Sequence, residues 1–402
     1  MPRIRPFRGL LFDRSAGPLA SLTAPPYDVI SPMDQDRLYA ANEHNIVRLI
    51  LGRDEPGDDA SVNKYTRAAT HLRRWRGEGI LRATEQPSLY PYELTFRWSG
   101  RSHRVRGVIA EVDLEPWGGS IVPHERTMPG PMEDRLSLIR AVRANLSAVY
   151  AVSPTVAPDL SGFLAEAMTS PPDRETSDET GTAHRLWVRP DSASVRRSLA
   201  DGSIMIADGH HRYTVALAFK EEMRARQGPG PWDAMMMFIV DAVTEDPPIL
   251  PIHRVVRPDG DLFGPESDGD LWGTDGSSVV RVRDLAEILA SLTDDEMTIG
   301  AVSLDGEDIV HRVGRVDGRG PAVCALHERL LDRIDPARLS FVPDAAAAEQ
   351  AVSSRRAAAA YFLPSTRVDR VWAVVRGQQR LPQKSTYFWP KPRTGMVIRP
   401  ME

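Results

Sequence analysis

From Leu89 to Val112 apolar and polar side chains alternate with a period of two. Tyr90-Pro91-Tyr92-Glu93-Leu94-Thr95-Phe96-Arg97-Trp98 is followed by Ser99-Gly100 and then by His103 to Val112. Alternation broken by a turn pair predicts a β-hairpin. Before it the period differs: Tyr65, Ala68, Ala69, Leu72 and Trp75 recur at three and four, which predicts a helix over Ala60 to Gly77. Earlier still, Ala24-Pro25-Pro26-Tyr27-Asp28-Val29-Ile30-Ser31-Pro32 cannot be helical, because successive prolines fix φ and remove donors. Ser31-Pro32 then reads as an N-cap with proline in the first turn of a helix running to Ala41.

Beyond the hairpin the pattern predicts a loop over Pro116 to Pro131, an amphipathic helix over Met132 to Leu146 and a strand over Ser147 to Val152. A helix over Asp159 to Met168 and a surface loop over Ser170 to Gly181 follow. The next stretch alternates strand and helix: His184 to Val188, Ser192 to Leu199, Ser203 to Ala207, Tyr213 to Arg226 and the Met-rich Ala234 to Val243. This alternation predicts a mixed α/β core. The Gly- and Asp-rich segment 258–278 reads as a linker. After it come helices over Asp284 to Leu292, Leu326 to Arg333 and Asp344 to Ala348, with a hairpin at Asp305-Gly306. The domain reading is therefore 1–257, a linker 258–278, and a C-terminal α/β portion 279–402 whose tail docks back on the core.

Composition narrows the class. The 402 residues are 42% apolar and 26% charged, with Lys+Arg 50 against Asp+Glu 55 and a net charge of -5. That is ordinary globular usage, and a slightly acidic chain is a poor coat for nucleic acid, which needs a basic surface. The single cysteine, Cys324, excludes an intrachain disulfide framework and Cys-based zinc or iron–sulfur clusters, and reads as a small core hydrophobe. No signal-peptide pattern and no membrane-length apolar run are present, so the expected location is cytoplasmic, with no membrane partner.

Candidate chemistry concentrates at strand-to-helix and loop positions. In Ile204-Met205-Ile206-Ala207-Asp208-Gly209-His210-His211-Arg212-Tyr213 an apolar strand runs into Asp-Gly, and a helix begins at once with two histidines and an arginine. The positive end of a helix, a glycine permitting close approach and a guanidinium fork together suit a phosphate or nucleotide. Asp208 as a plain helix cap, with His210 and His211 bonding to nearby loops, is the plainer alternative, but four such residues within five favour the functional reading. Zinc is disfavoured: adjacent histidines point apart, and no ligand set completes a site. In Pro123-His124-Glu125-Arg126-Thr127 a His-Glu pair can supply a general base, with Arg126 or Thr127 toward an anion. A surface salt bridge explains this segment equally well. His253 and Arg254, in Leu250-Pro251-Ile252-His253-Arg254, are plausible pocket residues. Lys384-Ser385-Thr386-Tyr387-Phe388-Trp389-Pro390-Lys391 reads as a docked tail, with Lys384 a candidate phosphate contact.

Taken in order, the segments beginning at Ala24, Pro123, Ala207, Leu250 and Lys384 resemble the prokaryotic domain of unknown function number ten-fifteen. Asp208-Gly209-His210-His211-Arg212 also resembles the signature of free-serine kinases built on the ParB/sulfiredoxin fold. That likeness implies a ParB/sulfiredoxin-like core with an N-terminal extension, ATP or ADP with Mg2+ as cofactor, and a small hydroxyl metabolite as phosphoryl acceptor. It places phosphates against Gly209 to Arg212, with His210, His211 and Arg212 offsetting negative charge. Glu125 becomes the candidate base, with Asp208 as its alternative or as the metal-side carboxylate. His124, Arg126, Thr127, His253, Arg254 and Lys384 complete the expected site. Histidine stands where sulfiredoxins need cysteine, which disfavours sulfinic-acid repair. Three functions are weighed: a small-molecule kinase, a non-catalytic nucleotide-binding regulator, and a ParB-type DNA-associated protein, the last weakened by the absence of a helix-turn-helix pattern.

Overall fold

The computed structural model describes residues 2–98, 100–125, 132–200, 202–258, 279–318 and 320–402. Two compact units form: the described residues within Met1–Pro123, Thr127–Asp246 and Pro390–Glu402, and those within His124–Arg126 and Pro247–Trp389. The segment read as a linker lies, from residue 259 on, outside the described residues.

The first unit is built in the order β1 (Ile4–Arg5), α1 (Pro32–Ala41), α2 (Lys64–Gly77), β2 (Ser88–Trp98), β3 (Arg101–Asp113), β4 (Ile121–Pro123), α3 (Met132–Val142), β5 (Val149–Ser153), β6 (Arg174–Ser177), β7 (Ala183–Leu186), β8 (Ile204–Asp208), α4 (His210–Gln227) and β9 (Ala234–Asp241). The sheet order is β4-β8-β5-β9-β3-β2-β7-β6, with β1 on β3. β8 runs parallel to β4, and β9 parallel to β5. The expected mixed α/β architecture is thus present. The predicted hairpin forms as β2–β3, with Tyr90 opposite Ile109 through Trp98 opposite Arg101, so the second strand starts two residues earlier than expected. Ser31 caps α1 reciprocally with Asp34, and Pro32 opens the first turn.

All eight residues of β9 are buried. Met235, Met237 and Ile239 pack into an apolar cluster with Val108, Val149 and Ile206. Phe238, on the opposite face, lies 5.2 Å from the Tyr92 ring and 5.1 Å from that of Tyr150. Apolar cover on both faces is why this strand reads as a continuous hydrophobic run. A second cluster gathers Trp75, Leu72, Leu38, Ile46 and Ile398.

Expected boundaries shift for local reasons. The helix read as Met132 to Leu146 stops at Val142, because Arg143 takes φ 49° and Ala144–Asn145 then pairs with Arg399–Pro400. The stretch read as a loop over Ser170 to Gly181 contains edge strand β6, whose polar side chains Arg174 and Glu175 masked it. The C-terminal segment threads back through this unit: Thr394 bridges Ala24, and Ile398 bridges Leu10. Among the described residues no helix is long and apolar enough to cross a membrane.

The second unit comprises β10 (His253–Val256), β11 (Val279–Val282), α5 (Leu285–Ser291), β12 (Thr298–Asp305), β13 (Asp308–Arg315), α6 (Ala322–Arg329), β14 (Leu339–Val342), α7 (Ala345–Ser353), β15 (Ala359–Phe362) and α8 (Val368–Arg376). Its sheet is antiparallel, in the order β11-β13-β12-β15-β10-β14. Ala348 and Val352 of α7 pack onto Val255, Val302 and Phe362. The alanine cluster is therefore packing. The helix read as Leu326 to Arg333 begins earlier, at Ala322 after Pro321, and ends in a separate 3-10 turn over Leu331–Arg333. Cys324 on α6 is half-buried rather than a core residue.

Gly107 in β3 tests the central sheet. A Cβ there would lie 2.4 Å from the Ile239 carbonyl oxygen and 2.7 Å from the Phe238 ring. Gly107→Ala should cost about 1–3 kcal/mol, the usual range for overpacking, measured by urea unfolding. Stability equal to wild type would contradict this packing.

Candidate functional site

In the first unit β8 delivers Asp208 at its end, and Gly209 turns the chain at φ 99°, ψ 28°. That left-handed conformation is where glycine is at ease. Helix α4 then starts at His210 with no capping side chain. His210 is buried and stacks on Trp117. Tyr213, one turn in, packs on the same Trp117 and donates to the Glu115 carbonyl at 2.7 Å.

Asp208 organises the charges. Its Oδ2 accepts from Arg212 Nη2 at 2.6 Å, and its Oδ1 faces Lys391 Nζ, also at 2.6 Å. Lys391 Nζ lies 3.0 Å from Asp28 Oδ2 as well. Arg212 Nη1 donates to Ser147 Oγ at 3.0 Å and to the Ala148 carbonyl at 2.6 Å. The guanidinium folds back over the turn, so that a Cβ on Gly209 would meet it at 2.9 Å. Burial alone would push the Asp208 carboxyl up, but Lys391 and then Arg212 outweigh it and hold the group far below the usual carboxylate range. The two carboxylates likewise raise Lys391 against the opposing effect of its burial. A cavity of about 70 Å³ adjoins Arg212, lined by Tyr27, Arg135, Leu138, Ser147, Val215 and Met235.

Magnesium, implied by the resemblance, does not fit this donor set as arranged. Both Asp208 oxygens already face a cation, and hard divalent ions need free oxygen ligands. Among the described residues no group of three or more His, Cys, Asp or Glu is placed to hold a metal ion.

The other described candidates belong to the second unit. His124 Nε2 and Thr386 Oγ1 are hydrogen-bonded at 2.5 Å, and the Leu381 N–H donates to the His124 carbonyl at 2.9 Å. A Glu125 carboxylate oxygen accepts from the Ser385 N–H at 2.9 Å. Burial pushes the Glu125 carboxyl up, against the opposing charges of His124, Lys384 and Arg254. Arg254 is wholly buried on β10, donating to the carbonyls of Ile252 at 2.6 Å and Gln383 at 3.3 Å and to His327 Nε2 at 3.2 Å. Burial lowers its guanidinium to about 10, so it stays charged at neutral pH. His253, also buried, accepts the Leu363 N–H at Nδ1, and burial lowers it to about 4. It is a neutral packing residue at physiological pH. Lys384 is exposed and takes φ 55°. Arg126 and Thr127 lie outside the described residues.

The expected residues therefore divide. Asp208, Gly209, His210, His211 and Arg212 share the first unit, whereas His124, Glu125, His253, Arg254 and Lys384 share the second. Sequence reasoning did not select Lys391 or Asp28 as site residues. The signal available was the rigid Pro flanking each, Pro25-Pro26 before Tyr27-Asp28 and Pro390 before Lys391.

A family model described as "Protein of unknown function (DUF1015)" matches residues 4–266. None of the curated proteins matches the chain. Among solved structures, the chain is similar to a conserved hypothetical protein from Pyrococcus furiosus at 12% identity and TM-score 0.37, over 68% of this chain and 90% of that one. It is similar to a free serine kinase in complex with AMP at 11% identity and TM-score 0.38, over 70% of this chain and 88% of that one. It is also similar to SbnI with a C-terminal truncation from Staphylococcus aureus, at 12% identity and TM-score 0.36, over 70% of this chain and 78% of that one.

The raised Glu125 pKa gives a signed expectation. A carboxyl that binds its proton more tightly folded than unfolded loses stability as pH rises past the unfolded value of about 4.3. Glu125→Gln keeps an oxygen for the Ser385 N–H and removes the charge. Its Tm advantage over wild type should be near zero at about pH 4 and grow toward neutrality. An advantage that shrinks as pH rises would show the carboxylate to be stabilised by its cations.

Proposed function

We propose that this chain, which belongs to the DUF1015 family of proteins of unknown function, binds a nucleotide by its phosphates at the Asp208–Arg212 turn and transfers a phosphoryl group to a small hydroxyl compound. The observation that carries this reading is the opening of an 18-residue helix at left-handed Gly209, with two largely buried cations, Arg212 and Lys391, fixed beside it by one carboxylate. The positive end of a helix favours an anion, and phosphoryl transfer needs little from a protein beyond positioning and charge stabilisation. Arg212 supplies a planar fork suited to phosphate oxygens. His210 and His211, in the first turn, add donors.

The acceptor hydroxyl must lose its proton as its oxygen bonds to phosphorus and the bond to the leaving nucleotide breaks. The two candidate carboxylates differ in fitness for that role. Asp208, held anionic by two cations, has little proton affinity and serves to fix them. Glu125, the base expected from the sequence, is the one of the two whose proton affinity burial raises, and it is the carboxylate substituted below to test transfer. No step is routed through a metal.

A second reading, a regulator that binds nucleotide without transfer, draws support from how fully Arg212 is engaged with Asp208, Ser147 and Ala148. Calorimetry and turnover separate the two. Arg212→Ala should weaken ADP binding by roughly ten- to a hundred-fold, about 1.4–2.8 kcal/mol. Glu125→Gln should bind ADP as wild type does and lose transfer to a pool of hydroxyl metabolites that includes serine. ADP binding that survives Arg212→Ala removes this site. Binding without a phosphorylated product in wild type leaves the regulator.

A further inference from the structure

We propose that Lys391 is the resident cation of the Asp28–Asp208 pair, a tethered ammonium standing where a divalent ion would otherwise sit between two carboxylates. The inference deepens the phosphate reading above and rests on it only for what the site ultimately binds. The geometry comes first. One ammonium nitrogen lies 2.6 Å from Asp208 Oδ1 and 3.0 Å from Asp28 Oδ2, and the lysine side chain is only 9% exposed. Arg212 takes the other Asp208 oxygen. Without Lys391, Asp208 would keep Arg212 on one oxygen and Asp28 would lose its ammonium, leaving an oxygen-rich site with surplus negative charge of the kind hard divalent ions occupy.

The tether makes the arrangement specific. Pro390 fixes the backbone before Lys391, and Arg393 just after it donates to Thr23 Oγ1 at 2.7 Å and to Glu179 at 3.1 Å. Thr394 then bridges Ala24, the residue before Pro25-Pro26 and Asp28. The segment that carries the ammonium is thus fastened to the segment that carries one of its carboxylates. Farther along, Arg399 donates to Asn145 Oδ1 at 3.1 Å and to the Pro231 carbonyl at 2.8 Å. These anchors do not involve Lys391, so the segment should stay docked when that side chain is changed.

Removing the ammonium from this partly exposed ion set leaves surplus negative charge, which a metal ion can offset. In full-length protein without nucleotide, Mn2+ titration followed by electron paramagnetic resonance should show Lys391→Met binding one Mn2+ at least ten-fold more tightly than wild type. Adding Asp28→Asn should abolish the gain. A folded Lys391→Met that binds Mn2+ no better than wild type overturns the proposal. If that variant does not fold, reductive methylation of the unaltered protein decides: Lys391 should react at least ten-fold more slowly than exposed Lys384, and equal rates overturn it. Neither arm contains nucleotide, so failure here and failure of the nucleotide reading are distinguishable.

Discussion

The first unit depends on one electrostatic constraint, the burial of Asp208 at the end of a sheet strand. A carboxylate taken out of water is costly, and breaking a buried ion set by removing one partner typically costs 3–5 kcal/mol. Here the charge is met from two directions: Arg212, one turn into the helix that follows, and Lys391, from the far end of the chain. The local partner follows from the strand–glycine–helix geometry, in which the Arg212 guanidinium folds back over the Gly209 turn onto Asp208. The distant partner requires the C-terminal segment to return, which explains the repeated anchoring of that segment by Arg393, Thr394 and Arg399. Fold and candidate chemistry therefore share the same ion pairs.

Much of this was legible in the sequence because it is local. The hairpin declares itself by a period of two, α2 by a period near 3.6, and the Asp208–Arg212 turn by an apolar strand stopping at Asp-Gly before histidines and arginine. Family membership was legible in motifs taken in order, of which those beginning at Ala24, Pro123, Ala207 and Leu250 lie within the matched residues 4–266. What could not be read was pairing across long separations. Lys391 is an unremarkable lysine in its own segment and acquires meaning only beside Asp28 and Asp208. Edge strand β6 escaped because its charged side chains suited a loop, and the early end of α3 turns on the left-handed backbone at Arg143. Nor could the sequence show that the Asp-Gly-His-His-Arg turn and the His-Glu segment belong to different compact units.

The two carboxylates singled out from sequence illustrate how environment divides equivalent groups. Asp208 is buried among cations that outweigh desolvation, and it remains an anion that fixes charge. Glu125 is buried with weaker compensation, and desolvation raises its affinity for a proton. Residue type alone gives both the same prior; only the surroundings separate an ion-pair anchor from a proton acceptor.

The structure of the chain crystallised with ADP tests the central claim most directly. Terminal phosphate oxygens should lie about 3 Å from the backbone N–H groups at the start of the His210 helix, with Lys391 still seated between Asp28 and Asp208. ADP bound elsewhere, with the Asp208–Arg212 turn left bare, would contradict it.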